Sequence, residues 1–133
     1  MTGGTAHLDD VVVAILHHLR GHSARFTANR EEIHRAFFKL KGEFPGELAP
    51  LTFRRKGFFP ESLGLDQALS NLEASRLLHR QNAAPLLYDI DPDIQDCYKR
   101  SVETRLQDRG FAPSTAQKIA SRLAEELHTP VPS

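Results

Sequence analysis

A run of leucines at helical spacing that gives way to two short apolar segments constrains this chain more than any other feature. Leu65, Ala68, Leu69 and Leu72 recur three and four residues apart, which puts them on one face of a helix. Ser62 stands where its hydroxyl can accept from the first free helix amides, and Asp66 is a second candidate cap because Gly64 is a weak helix residue. Gln67, Ser70, Asn71, Ala74 and Ser75 fall on or near the other side, which is small and polar rather than charged. Leu77–Gln81 and Leu86–Ile90 then flank Asn82-Ala83-Ala84-Pro85, the pattern of a β-hairpin with Pro85 at a strand end where no ladder amide is needed.

The flanking sequence is helical. Leu8–Leu19 is apolar on more than one side through Val11, Val12, Val13, Ala14, Ile15, Leu16 and Leu19, with Asp9 and Asp10 at its start and Gly21 as its stop. Asn29 with Glu32 forms a capping-box pattern opening a second helix from Arg30 to about Lys41, whose inward face is Ile33, Ala36, Phe37 and Leu40. Glycines and prolines between Gly42 and Pro50 make a long connection, and Leu51–Arg54 reads as a short strand pairing with the hairpin. Phe53, Phe58 and Phe59 bracket Arg54, Arg55, Lys56 and Gly57, and the phenylalanines read as anchors of a turn whose cations stay wet. Asp91 and Pro92 open a helix to about Asp108, with Ile94, Cys97, Tyr98, Val102 and Leu106 on one stripe and Gly110 closing it. Ser114 with Gln117 reads as a second capping box, before Ile119, Ala120, Leu123 and Leu127.

The expected fold is mainly α (α+β). Residues 1–91 form a body with a small β-hairpin, residues 92–128 a C-terminal antiparallel helical hairpin, and residues 129–133 a disordered tail after Pro130 and Pro132. The hairpin is expected either to pack on the body as one domain or to serve in dimerisation. The helix–hairpin order resembles the second half of a winged helix, a fold that binds nucleic acid and protein alike. That fold usually places Gly at the end of the helix, in a left-handed turn, where this chain has Arg76. The stretch Lys56-Gly57-Phe58-Phe59-Pro60-Glu61-Ser62-Leu63, followed by Leu69, Leu72, Leu77 and Leu78, also resembles the Panacea (SocA-like) antitoxin domain family. That resemblance implies a small helical domain built to bind another protein, and it implies no catalytic residue.

Composition narrows the function. Lys plus Arg equals Asp plus Glu at 17 each in 133 residues, so nothing drives the whole chain toward nucleic acid or an anionic membrane. The single Cys97 excludes an intramolecular disulfide and a cysteine-based zinc site, and is expected as a small buried side chain in a protein of the reducing cytoplasm. No apolar run reaches spanning length, and the first residues lack the look of a signal peptide. His17, His18 and His22 lack a fourth ligand at metal spacing, and the Asp89, Asp91, Asp93 and Asp96 cluster lacks the loop of an EF-hand. No phosphate loop, dinucleotide fingerprint or nucleophile elbow is present. The expectation is a protein without catalytic residues, cofactor or metal.

Two functions remain: an interaction module that binds a protein partner or itself, and a winged-helix regulator that binds double-stranded DNA. Net neutrality and the long connection favour the first; the basic turn and the polar helix face favour the second. Either would use the same residues. Arg54, Arg55, Lys56, Arg76 and Arg80 supply charge, and Gln67, Ser70 and Asn71 supply a polar edge able to read bases or a partner.

Overall fold

Residues 7–55 and 57–127 are described by the computed structural model, so Lys56 and the expected 129–133 tail lie outside the described residues. Helix α1 (Leu8–Leu19) is the pivot of the molecule. Its Val11–Leu16 run and Leu19 are buried, because α3 (Leu63–Ala74), the C-terminal helices and α6 (Pro113–Glu126) all pack on it. That placement accounts for a helix with almost no polar face. Arg105 reaches it from the C-terminal region and holds Asp10 with two bonds of 2.8 Å, at the end of α1 where a carboxylate is also favoured by the helix dipole.

Helix α2 (Arg30–Glu43) begins as its sequence predicts, with the Asn29 side chain accepting from the Glu32 amide at 3.0 Å. The reciprocal half of the box is replaced: the Asn29 amide donates to Thr27 Oγ1 at 3.0 Å. Ile33, Ala36, Phe37 and Leu40 are buried, and so is His34 beside them.

The hairpin forms as β2 (Leu78–Arg80) and β3 (Leu87–Ile90), joined by a third strand, β1 (Arg25–Thr27), in the order β1-β3-β2. Phe26 opposes Tyr88, and Leu78 opposes Ile90; these four are buried on one face. On the other face Arg25 and Gln81 both bond Asp89, at 2.6 and 3.1 Å. The expected strand at Leu51–Arg54 is a correction: only Arg54 makes a bridge, and its partner is Glu61 rather than the hairpin. Arg25–Thr27 takes the edge instead, since the turn after α1 delivers it directly to β3 and buries Phe26.

Ser62 caps α3, its hydroxyl accepting from the Leu65 amide at 3.1 Å. At the other end Arg76 adopts φ 63°, the left-handed turn expected there, without the glycine that favours it. The Leu77 amide bonds the Leu72 carbonyl and the Arg76 amide bonds that of Glu73, which completes a Schellman closure.

Toward the C-terminus, α4 (Ile94–Cys97), one π-helical turn (Tyr98–Val102) and α5 (Glu103–Asp108) run on as a single helix. The π turn has a cause in the sequence. Ile94, Tyr98, Val102 and Leu106 are each four residues apart, and four residues overshoot one helical revolution by about 40°. Three such steps would swing the stripe about 120° off the core; a π turn, which accommodates one extra residue, takes up about 100° of that. All four side chains are buried, while Cys97 is half-buried against the core rather than enclosed. Asp91 serves just before this helix, its Oδ1 accepting from the Asp93 amide at 2.8 Å.

Gly110, at φ 82°, repeats the Schellman closure with Phe111 and Leu106. The Ser114–Gln117 capping box is a second correction: Ala112 is the cap residue and no side chain caps the helix, because Pro113 occupies its first turn and fixes an earlier start. Helix α6 packs on α1 and on α2, where Arg122 grips Glu43 with two bonds of 2.8 Å.

Candidate functional site

The long connection after α2 ends in a closed turn. Arg54 and Glu61 exchange backbone bonds of 2.8 and 2.9 Å, which close the base of the turn. Phe53 packs edge-on against Phe38 with centroids 5.2 Å apart, and Phe59 lies 6.0 Å from the His34 ring under the Arg30 guanidinium. Phe58 does not follow them. It is 97% exposed, which corrects the expectation that all three phenylalanines anchor the turn. Its carbonyl accepts from Arg35 Nη2 at 3.2 Å, so the tip is braced at its backbone while the ring stands free.

A chain of charges ties this turn to α2 and α3. Arg54 pairs with Glu61 at 3.5 Å, Glu61 with Arg30 at 3.0 Å, and Arg30 with Asp66 at 2.6 Å. These bonds hold the Glu61 carboxyl below its ordinary range, the Arg30 hydrogen bond being the main cause. Burial works to raise the Asp66 carboxyl, but hydrogen bonds from Arg30 and His34 outweigh it and leave the group lowered. His34 is wholly buried. Its Nδ1 accepts from the Ser62 amide at 3.0 Å, so its Nε2 carries the proton and donates to Asp66 at 2.8 Å. Both ring nitrogens are therefore in use, and the pair joins α2 to α3.

Arg30, His34 and Asp66 also wall a pocket of about 250 Å³ with Ser70, Glu73, Arg80 and Tyr88. Arg80 Nη2 donates to the Tyr88 hydroxyl at 2.7 Å and lies 3.5 Å from Glu73. Burial raises the Tyr88 hydroxyl pKa, against the pull of Arg80. Outside the pocket, Gln67 donates to Asn71 at 2.9 Å and Asn71 donates to Asp9 at 2.9 Å. Arg55 lies over the Phe38 ring at 5.3 Å, and Arg76 is exposed with no carboxylate partner among the described residues. Of the residues singled out in the sequence, Ser70 and Arg80 thus share one pocket, and Arg54 is linked to it through Glu61 and Arg30. Arg55, Gln67, Asn71 and Arg76 stand apart from it, and Lys56 lies outside the described residues. Arg30, His34, Glu61, Glu73 and Tyr88 complete the arrangement, and no local pattern marks them, since their partners come from distant segments.

A second concavity, of about 500 Å³, lies elsewhere, at the end of α1 beside Gln95, Gln117 and Ser121. His17 stacks on Tyr98 with centroids 4.5 Å apart, His18 meets Tyr98 edge-on, and His22 pairs with Ser121 at 3.2 Å. Burial lowers the pKa of His17 and of His18. The Tyr98 hydroxyl is pushed up to about 12, mainly by burial. Among the described residues no group of three or more His, Cys, Asp or Glu side chains converges as a metal site would require, and no helix is long and apolar enough to cross a membrane. No family model, curated protein or solved structure matches this chain.

Proposed function

We propose that this chain is a non-catalytic interaction module with a winged-helix-like body, acting as a small subunit or adaptor that holds a protein partner in a larger assembly. The observation that carries this reading is Phe58: an aromatic ring fully in water on a turn fixed by backbone and ion-pair bonds is the form of a protein-binding anchor. Leu63 and Leu86, 57% and 55% exposed, add apolar surface at the start of α3 and on the hairpin. The passage from α3 straight into a two-stranded wing, with β1 on its far edge, supports the winged-helix body. The likeness of the Lys56–Leu63 turn to the Panacea family points to a protein partner too. A lone cysteine fits a reducing compartment such as the cytoplasm.

Charge on the α3 side supports the same choice. Arg54 and Arg80, which would have to face phosphate, are engaged by Glu61 and Glu73. Asn71, which would have to reach a base edge, is engaged by Asp9 and Gln67. The DNA-binding reading keeps two observations, the exposed Arg55 and Arg76 without carboxylate partners among the described residues. A mobility-shift series against random duplex DNA at rising salt separates the two. Phosphate contacts give steep salt dependence, and an interaction module gives no shift at any salt. A salt-sensitive shift that the Arg54→Glu/Arg55→Glu double variant abolishes would establish the regulator instead.

A further inference from the structure

Building on the interaction-module reading, we propose that the Phe58 turn and the groove beside it form a docking surface for a second copy of this chain, each copy seating its Phe58 ring in the other's groove. The groove measures about 470 Å³, and Ala36, Phe38, Pro60 and Leu127 supply its apolar lining. It adjoins the turn directly: Arg35 lines the groove and also binds the Phe58 carbonyl at 3.2 Å. An exposed apolar knob and an apolar cleft therefore sit side by side on one face. A two-fold contact requires a patch complementary to itself, and this patch carries both halves.

Charge points the same way. Glu32 and Arg55 both line the groove, both are exposed, and neither has an ionic partner among the described residues. A two-fold arrangement brings Glu32 of one copy toward Arg55 of the other and pairs both. The chain has no net charge, with 17 acidic and 17 basic residues, so copies approach without long-range repulsion. A strongly acidic or basic partner finds no matching field on a rim of mixed sign.

Sedimentation of the full chain from about 1 μM to about 1 mM tests this, a range that covers weak and moderate self-association. The expected result is a monomer–dimer equilibrium. Phe58→Ala should weaken it at least tenfold with an unchanged circular dichroism spectrum, since that ring supports nothing in its own fold. Glu32→Arg and Arg55→Glu should each weaken it, and the double exchange should restore it. A chain ending at Leu127 should dimerise as the full chain does. Self-docking is overturned if the full chain stays monomeric throughout, if the charge exchange restores nothing, or if dimers form only when the residues after Leu127 are removed. A monomeric chain that still holds a different protein through Phe58 loses self-docking alone. One whose Phe58→Ala variant keeps every partner loses the interaction-module reading as well.

Discussion

The Ser62 amide donates to Nδ1 of His34 across 3.0 Å, and this one bond fixes the tautomer of a buried imidazole and the entry of the chain into α3. Because an amide hydrogen already points at Nδ1, a proton cannot be added there without breaking the bond. Burial lowers the His34 pKa below 6.5, against the opposing pull of Asp66.

Stability should follow from that direction. A histidine whose folded pKa is depressed contributes fully above its unfolded value and loses that contribution as pH falls toward the folded one. Denaturant unfolding should therefore be flat above pH 6.5 and weaken below it, with His17 and His18 adding the same sign. His34→Asn, which keeps an acceptor for Ser62 and loses the bond to Asp66, should cost about 1–3 kcal/mol at neutral pH. It should also make the decline below pH 6.5 shallower. An unchanged slope would remove His34 as its source. Asp66, with a lowered carboxyl pKa, adds a second decline only at more acid pH, below 3.8.

Arg76 and Gly110 occupy the same position in the same helix closure, at φ 63° and 82°. A side chain in that conformation costs about 1–2 kcal/mol. Arg76→Gly should stabilise by about 0.5–1 kcal/mol once the added freedom of the unfolded chain is subtracted. Gly110→Ala should destabilise by about 1 kcal/mol, a purely conformational cost because nothing lies within 4 Å of the added methyl. Chemical denaturation of the pair checks the opposite signs.

Leu72 is 3% exposed and belongs to the core between α3 and the rest of the body. Leu72→Ala should cost about 2–5 kcal/mol in urea unfolding, as truncation of buried leucines does. A loss under about 0.5 kcal/mol would mean that the site closes around the smaller side chain, contrary to its packing.

Removing Ser101, an exposed residue inside the π turn, changes the stripe from steps of four, four and four to four, three and four. That is the pattern of an ordinary α-helix, so the shortened chain should fold cooperatively within about 1 kcal/mol of the original. Hydrogen exchange should show continuous protection from Ile94 to Leu106. Loss of the cooperative transition would show that the bulge serves more than the register of that stripe.

Elements held by local spacing were legible in the sequence. The leucines of α3 specify a helix whatever surrounds them, because the period of the apolar residues alone sets which face turns inward. Ser62 and Asn29 mark helix starts, since a cap acts over three residues. The hairpin followed from Pro85 and the apolar runs beside it.

Tertiary structure alone decided the rest. Arg25–Thr27 is too short to declare itself and becomes a strand only because β3 lies beside it with an unpaired edge. Arg76 enters a left-handed turn without glycine because packing of Leu72 and Leu78 on the two sides of it outweighs the strain. Arg30, His34, Glu61 and Asp66 meet from α2, the turn and α3, separations that leave no periodic trace in the chain. Phe53, Phe58 and Phe59 look alike in the sequence. Which of them is left in water depends on where the Arg54–Glu61 bridge closes the turn, and that is set by bonds between distant residues.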